Sequence, residues 1–289
     1  MLGKKGLHVV NNIPLSVRKL IPSPLRRFVK HAAWRVLDAV DWISGKGHLI
    51  PPRKLIFIGD GDFEKTGAEF LGHFTKLGGL SPQQRVLDVG SGIGRMAVPL
   101  IPFLSGTGRY DGMEIVPTGV EWCRKNITPR HPNFRFHLID VYNLEYNPGG
   151  KIQAADYRFP FPDSHFDFTF LTSVFTHMLP ADFENYVSEI ARVTQTGGRC
   201  LSTFFLLNPE SRAKIEAKIP FLDFYHQGPS YLTNDEKMPE SAIAFPEEYV
   251  REVFRKNGFS VIGPVHYGKW CGREKFLSYQ DILVFEKSL

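Results

Sequence analysis

One short segment limits what this chain can fold into more than any other. It is Arg85-Val-Leu-Asp-Val-Gly-Ser-Gly-Ile-Gly-Arg95, an apolar run followed by alternating glycines. Glycine at positions 90, 92 and 94 allows a tight turn and a close approach of the backbone to a ligand. The free N–H groups of the helix start that follows favour a negatively charged group. The segment therefore predicts a strand, a ligand-binding turn and a helix.

The glycine spacing and a preceding acid separate two kinds of cofactor site. A nicotinamide dinucleotide site has the spacing Gly-x-Gly-x-x-Gly, which needs glycine where this chain has Arg95. A carboxylate at Asp88 would repel a pyrophosphate but would accept hydrogen bonds from the ammonium of an amino-acid tail. Ser91 and Arg95 offer further hydrogen bonds. A nicotinamide-dependent oxidoreductase is therefore the remote alternative.

Strand and helix patterns alternate from residue 85 onward. The predicted strands are 85–89, 110–115, 134–139, 166–172, 199–206, 260–266 and 281–286, and the predicted helices are 93–104, 117–126, 181–194 and 246–257, after an earlier one at 62–78. Such alternation is typical of a parallel sheet covered on both faces. The last two strands have no helix between them, which predicts an antiparallel edge. The predicted fold is α/β, with a doubly wound, mostly parallel, seven-stranded sheet of Rossmann-like type.

The charge distribution divides the chain into two parts. Residues 1–50 contain nine Lys or Arg and two Asp, a net charge of +7, whereas the remainder sums to −2. We therefore predict a basic, amphipathic helical extension over 1–60 and a main domain over 61–289. The main domain is not basic, so no nucleic-acid partner is expected.

Within the extension, apolar residues at steps of three and four predict a helix over 24–43. Two interpretations are open for it. The helix packs on the main domain or on a second copy of the chain, which would make a homodimer, or it makes peripheral contact with an anionic membrane surface.

The pattern from Asp88 to Gly94, Asp-x-Gly-x-Gly-x-Gly, resembles the first motif of the class I S-adenosylmethionine-dependent methyltransferases. The resemblance extends roughly over residues 60–287. The approach to the fourth strand, Phe159-Pro-Phe-Pro-Asp163, is similar to that of small-molecule members, and the Asn-Pro-Pro-Tyr signature of amino-methylating DNA enzymes is absent. The resemblance implies S-adenosyl-L-methionine as cofactor, S-adenosyl-L-homocysteine as product and a small-molecule acceptor.

The resemblance also implies roles for acids at two further strand ends. Glu114, at the end of the second strand, would hold the ribose hydroxyls, with Asp111 as a rival. Asp140, beside Val141, would bind the adenine amine, or would instead cap a helix or turn. The predicted cofactor residues are Asp88, Gly90, Ser91, Gly92, Gly94, Arg95, Glu114, Ile115, Asp140, Val141 and Ser173.

His177 is the candidate catalytic residue. Methyl transfer from a sulfonium is an in-line displacement, so the protein mainly aligns the acceptor, and a hydroxyl acceptor, the favoured nucleophile, benefits from a base. His177 follows the fourth strand, where doubly wound sheets bind ligands, and histidine titrates near neutral pH. The other interpretation is a structural or substrate-orienting histidine. Weaker candidates are Tyr225, His226, Tyr231, His266 and Tyr267.

Residues 208–245 form an aromatic-rich insertion after the fifth strand. Such an insertion is either a lid that selects the acceptor and excludes water from the site or a small satellite core. The predicted substrate contacts, under the first interpretation and from the turn between the last two strands, are Phe224, Tyr225, His226, Tyr231, Trp270 and Arg273.

The three cysteines, Cys123, Cys200 and Cys271, show no metal-binding spacing. We therefore predict no metal site and a reducing, cytoplasmic setting, with membrane association if the extension binds lipid. No apolar run approaches the roughly 18 residues that a membrane span needs. Two functions besides methyl transfer stay open for the same cofactor fold, namely another transfer such as aminopropyl transfer, and non-catalytic binding.

Overall fold

A computed structural model of the protein describes residues 49–59, 61–219 and 224–288, together with residues 34, 36, 38–40 and 43. Most of the predicted extension over 1–60, including residues 1–33, lies outside the described residues, and so do residues 220–223 of the predicted insertion. The described residues within the predicted helix at 24–43 are helical. Val36, Val40 and Ile43, from its predicted apolar face, are exposed to solvent.

The strands form one large and one small sheet. In chain order they are β1 (Arg85–Val89), β2 (Arg109–Glu114), β3 (Phe134–Leu138), β4 (Phe166–Leu171), β5 (Thr194–Phe204), β6 (Leu206–Leu207), β7 (His226–Gln227), β8 (Leu232–Thr233), β9 (Ile243–Pro246), β10 (Phe259–Val261) and β11 (Asp281–Lys287). The large sheet has the order β10-β11-β5-β4-β1-β2-β3. Its members from β5 to β3 are parallel, and β11 and β10 are antiparallel to their neighbours. The predicted sheet, with its antiparallel edge, is confirmed.

Six α-helices of the described residues accompany the sheets. They are α1 (Phe63–Lys76), α2 (Ala97–Leu100), α3 (Pro117–Asn126), α4 (Pro180–Val193), α5 (Pro209–Glu216) and α6 (Glu247–Lys256). Asp62 caps α1 by accepting from the Lys65 N–H at 3.0 Å. No helix within the described residues has the length and apolar character needed to cross a membrane.

Two predicted elements are shorter in the structure. The helix predicted at 93–104 is regular only from Ala97 to Leu100. Gly94 has a φ of +83°, and Pro99 and Pro102 lack the N–H that helical hydrogen bonds require. The strand predicted at 260–266 ends at Val261. The positive φ of Gly263 interrupts the pairing with β11, which resumes in a single bridge between His266 and Ile282.

The large sheet separates two apolar layers. On one side Phe74, Val86 and Phe168 belong to a core that includes residues of α1 and α3. On the other side Phe183 and Phe204 belong to a core that includes residues of α4 and α6. The two layers hold the strand ends in fixed register, because neither face of the sheet is free to slip.

The insertion forms a satellite unit beside the large sheet. Strands β6, β9, β8 and β7 pair in that order into a four-stranded sheet. Phe205, Phe224 and Trp270 form the aromatic part of a separate small core beneath it. Of the two interpretations of residues 208–245, the structure favours the satellite core.

Candidate active site

A cavity of about 620 Å³ opens at the carboxyl ends of β1, β2 and β4. Its volume falls within the range of roughly 300–1,000 Å³ that is typical of ligand pockets. The chain order of the large sheet reverses at β1, which lies between β2 and β4. Doubly wound sheets bind their ligands in the crevice at such a reversal. The cavity is therefore the candidate active site.

The glycine turn forms the floor of the cavity beside β1. Gly90, Gly92 and Gly94 all have positive φ, at +81°, +56° and +83°. The N–H groups of Gly90 and Ser91 donate to the Met113 carbonyl at 2.8 and 3.0 Å, which fastens the turn to β2. A Cβ on Gly90 would lie 2.5 Å from Cγ2 of Val174. The turn therefore tolerates no larger residue at this point.

Glu114 closes the turn from the end of β2. Its carboxylate is buried and accepts from the N–H groups of Gly92 at 2.7 Å, Ile115 at 2.7 Å and Val116 at 2.8 Å. Burial raises the pKa of Glu114, and these backbone donors counteract that rise. Oε1 receives two of the bonds and Oε2 only one, so Oε2 keeps acceptor capacity for a ligand hydroxyl. Its rival Asp111 is fully buried against Arg109 and His137, away from the cavity.

Two buried polar side chains of the cavity wall have unsatisfied atoms. Within the described part of the chain, Oγ of Ser91 and Nε of Arg95 have no hydrogen-bond partner. The Arg95 guanidinium also donates to the carbonyls of Ile58 and Gly59, and burial lowers its pKa. Buried polar atoms without partners are rare in proteins. Here they are the expected donors for a polar, anionic group of a ligand.

The structure places the predicted cofactor residues in two groups. Those that line the cavity are Gly90, Ser91, Arg95, Glu114, Ile115, Val141 and Ser173. Gly92 and Gly94 lie beneath the turn, where Gly94 packs against Cys123 and Ile127 of the α3 region. Asp140 is exposed between the lining residues Ile139 and Val141, and its predicted contact with adenine stays a prediction.

The predicted contact of Asp88 is corrected. Its side chain is fully buried, does not line the cavity, and accepts a hydrogen bond from the Tyr110 hydroxyl at 2.6 Å. Successive side chains of a strand point to opposite faces, so Asp88 shares a face with Val86 while Val89 lines the cavity. Burial raises the pKa of Asp88 to about 8. Asp88 therefore supports the turn from below through β2.

His177 also lines the cavity, in a short 3-10 turn after β4. Its Nδ1 lies 2.8 Å from the carbonyl oxygen of Glu240. A carbonyl can only accept, so Nδ1 carries the proton and Nε2 of the neutral ring is an unprotonated acceptor. Burial lowers the pKa of His177, which keeps the ring neutral near pH 7. The ring also contacts Tyr146 edge to face at a centroid distance of 5.7 Å.

Several cavity residues carry no signal in the sequence. They come from the end of the predicted extension, the loop after β3, the start of α4 and the loop before β11, and they include Phe57, Ile58, Gly59, Tyr142, Asn143, Tyr146, Asp182, Ser278, Tyr279 and Gln280. None of these residues belongs to a recognisable motif. Their participation follows from how distant segments pack at one edge of the sheet.

Three of the predicted substrate residues lie outside the cavity. Phe224, Trp270 and Arg273 are buried in or beside the satellite core and do not line the cavity. The Trp270 indole donates to Asp281 at 2.7 Å, and Arg273 pairs with the same carboxylate at 3.0 Å. Large aromatic and charged groups become buried where they find such partners. These residues stabilise the junction between the two sheets.

The remaining predicted substrate residues surround a different depression. Tyr225, His226 and Tyr231 line a second cavity of about 220 Å³ within the insertion. The other weak catalytic candidates, His266 and Tyr267, also lie outside the main cavity. Glu240 is the described member of 208–245 that does line the main cavity. The insertion thus touches the candidate active site through a single described side chain and the bond of its carbonyl to His177.

Comparison with known proteins agrees with this geometry. Residues 87–202 match the family described as a methyltransferase domain. The fold is similar to that of a protein from Pyrococcus horikoshii OT3, with a TM-score of 0.56, 15% identity, and coverage of 81% of this chain and 95% of that one. It is also similar to a Galdieria sulphuraria protein provisionally named a sarcosine dimethylglycine methyltransferase, with a TM-score of 0.50, 15% identity and coverage of 78% and 86%. At these identities the two structures show the fold alone.

Residues 87–202 thus match a methyltransferase domain at the place where the sequence resembles the class I S-adenosylmethionine-dependent methyltransferases. This match supports the predicted methyltransferase class and its cofactor, and it favours them over the nicotinamide alternative. The residues present fit the cofactor, because unsatisfied donors at Ser91 and Arg95 and spare acceptor capacity at Glu114 line one cavity. When bound, S-adenosylmethionine supplies a methyl group already activated by a sulfonium.

Proposed function

We propose that the enzyme methylates a hydroxyl group of a small molecule and that His177 is the general base. The observation that carries the proposal is the bond from Nδ1 of His177 to the Glu240 carbonyl. This bond fixes the tautomer that offers Nε2 as a proton acceptor, and Nε2 has no hydrogen-bond partner among the described residues. The lowered pKa of His177 keeps that nitrogen unprotonated at neutral pH.

The role of a base points to the class of nucleophile. A neutral amine already carries the lone pair that attacks a methyl group, whereas a hydroxyl must lose its proton as it attacks. His177 would accept that proton, and general base catalysis of this kind contributes about 10²–10⁴-fold in rate. A buried, neutral histidine with one nitrogen anchored therefore favours an oxygen acceptor.

The surroundings of His177 favour a small acceptor. Tyr142, Asn143, Tyr146, Asp182 and Tyr186 line the cavity with His177. These side chains combine flat apolar surfaces with a few polar atoms, which is the usual composition of a small-molecule pocket. The acceptor would lie among them, with water largely excluded.

The first experiment identifies the acceptor and the methylated atom. The purified enzyme is incubated with methyl-labelled S-adenosylmethionine and a fractionated extract, and the labelled product is analysed by NMR. We expect label in a small-molecule fraction, with the chemical shift of a methyl ether. Label in protein or nucleic acid, or an N-methyl product, would overturn the proposal.

The second experiment tests the base with His177→Asn. Asparagine retains a donor to the Glu240 carbonyl but lacks the distal nitrogen, so kcat should fall by about 10²-fold or more while S-adenosylhomocysteine affinity stays within about twofold. In the native enzyme kcat should rise with pH through a pKa below the ordinary value of about 6.5, and the variant should lose that dependence. His165→Asn is the matched control, since His165 is partly buried but lies outside the cavity. An orienting histidine would instead raise KM and leave the pH profile of kcat unchanged.

A further inference from the structure

The loop between β10 and β11 exposes large apolar side chains beside the cavity. Phe276 is 50% exposed, Leu277 43% and Tyr279 40%. Ile219 is 53% exposed, and a Cβ on Gly272 would lie 2.6 Å from its Cγ2, so Ile219 packs at the foot of the same loop. We call Ile219, Phe276, Leu277 and Tyr279 the rim patch. Contiguous exposed apolar side chains of this size mark an interaction surface.

The rim patch is held firmly in place. The Leu277 N–H donates to the Tyr267 carbonyl at 3.3 Å, and the Lys269 N–H donates to the Ser278 carbonyl at 3.1 Å. The Ser278 hydroxyl donates to Glu69 of α1 at 2.6 Å. These bonds fix the base of the loop while Phe276 and Leu277 project from it. The exposure is therefore a property of the folded surface.

The same loop is part of the active-site wall. Ser278, Tyr279 and Gln280 line the cavity, and Tyr279 belongs both to the cavity lining and to the rim patch. A partner that covers the rim patch would therefore lie next to the opening through which an acceptor enters.

Exposed lysines border the rim patch. Lys269, Lys275 and Lys218 are exposed, and Nζ of Lys269 lies 5.5 Å from the centre of the Phe276 ring. The acids nearby are Glu274 and Glu216, which are exposed, Glu69, which accepts from the Ser278 hydroxyl, and Glu210, which pairs with the Arg273 guanidinium at 2.9 Å. Apolar side chains bordered by lysines match the boundary between acyl chains and anionic headgroups.

The N-terminal part of the chain has the same chemistry. Residues 1–50 carry a net charge of +7, and the described apolar residues Val36, Val40 and Ile43 are exposed. Charge of this sign strengthens attraction to an anionic surface but not to a neutral one. The sequence and the rim patch thus point independently to the same kind of partner.

We propose that the rim patch docks on an anionic membrane surface, with Phe276 and Leu277 entering the interface and the flanking lysines contacting headgroups. The inference concerns a surface outside the catalytic groups, so it stands whether or not the acceptor is a hydroxyl. A second copy of the chain fits the patch less well. A twofold contact places the same patch on both subunits and would bring the lysines of one copy close to those of the other.

The test is co-sedimentation of the full chain with phosphatidylcholine vesicles prepared with and without phosphatidylglycerol. We expect binding only to the anionic vesicles, weakened by salt. Phe276→Ser/Leu277→Ser should lower that binding by about tenfold or more, because two large apolar side chains no longer enter the interface. The matched control is Leu138→Ser/Ile152→Ser, which removes two exposed apolar side chains that do not belong to the rim patch. It should bind like the native chain.

S-Adenosylhomocysteine affinity and thermal unfolding show whether each variant is folded. If Phe276→Ser/Leu277→Ser is not folded, Lys269→Gln/Lys275→Gln takes its place in the test. The lysine variant should also lose binding. Native protein that binds no vesicles, or a folded rim variant that binds as the native chain does, would overturn the proposal. Native protein that forms dimers dissociated by the rim substitutions, without vesicle binding, would overturn it in favour of a contact between copies.

Discussion

The half of the cavity in which we propose that the cofactor binds, and the half in which we propose that the acceptor binds, draw their residues from different distances along the chain; we call them the cofactor half and the acceptor half. The cofactor half is formed by the ends of the neighbouring strands β1 and β2, where Gly92 and Glu114 are joined directly by a 2.7 Å hydrogen bond. The acceptor half joins His177 to Glu240, 63 residues away, and Ser278 to Glu69, 209 residues away. Cofactor binding is thus encoded in a local motif, whereas the acceptor pocket depends on how remote segments pack.

The two halves also differ in the groups that they use. Backbone N–H groups and glycine conformations define the cofactor half, and Glu114 is held by three such donors. Side chains define the acceptor half, with His177, Tyr146 and Asp182 from three separate elements. Substitution in the first half should therefore affect cofactor affinity, and substitution in the second half should affect the acceptor.

The largest effect is expected at the glycine turn. Gly92→Val places a branched side chain at a φ of +56°, with its Cβ 2.9 Å from Cγ2 of Ile58. Backbone strain of about 1–3 kcal/mol should lower S-adenosylhomocysteine affinity by up to about 100-fold in calorimetric titration. Gly149→Val is the control, since Gly149 has open space around it and should bind normally. Unchanged affinity in Gly92→Val would separate the turn from the cofactor site.

A smaller effect on the same half is expected from Glu114→Gln. Glutamine has one acceptor oxygen for three N–H donors, and an amide hydrogen would face one of them. Losing a charge-assisted hydrogen bond costs about 1.5–3 kcal/mol, so cofactor affinity should fall by about 10-fold or more. Glu121→Gln, on the exposed side of α3, should have no effect. If KM for the acceptor rose instead, the division between the two halves would be incorrect.

A smaller effect is expected when a hydrogen bond that supports the wall of the acceptor half is removed. Ser278→Ala removes the 2.6 Å hydrogen bond that ties the loop before β11 to Glu69. A net loss of about 1 kcal/mol predicts a KM for the acceptor that is about fivefold higher, with cofactor affinity unchanged. Ser260→Ala, at the exposed strand β10, is the control. Steady-state kinetics with the labelled acceptor measure both constants, and a drop in cofactor affinity would contradict the comparison.

The smallest effect on binding is expected at Asp88, but this residue should change how stability depends on pH. Its pKa of about 8 means that the folded state binds its proton more tightly than the unfolded chain does. Its contribution therefore favours folding at low pH and is lost as the pH rises from about 4 to about 8, by at most about 1.4 kcal/mol per pH unit. Asp88→Asn keeps an acceptor for Tyr110 and removes this dependence.

Urea unfolding of Asp88→Asn and the native chain at several pH values measures that difference. The variant should gain stability relative to the native chain as the pH rises, while cofactor affinity stays within about twofold. If the difference in the free energy of unfolding between the variant and the native chain is the same from pH 4 to pH 8, the buried carboxylate is charged throughout that range. A large loss of cofactor affinity would mean that Asp88 contacts the cofactor, as the glycine motif suggests.

Most of the fold was predictable because its signals are local. Apolar runs of strand length, the cap of α1 and the glycine turn each depend on a few neighbouring residues. The helix predicted at 93–104 is shorter in the structure, because Pro99 and Pro102 interrupt the helical hydrogen bonds that its apolar pattern suggests. The turn, Glu114 and His177 all lie at the predicted cavity, since parallel strands bring their carboxyl ends to one edge.

The sequence by itself determined the cofactor class, the order of the elements and the place of the cavity. These features depend on the glycine motif and on the residues at the strand ends, and each of these signals lies within a short stretch of chain. Only the tertiary structure decided which polar side chains reach the cavity. The pleat of β1 points Asp88 away from the cavity and toward Tyr110. Trp270 is buried beside Asp281, which accepts the hydrogen bond of its indole N–H. Both outcomes depend on neighbours distant in sequence, and burial of a polar group is favourable only where such a neighbour satisfies it.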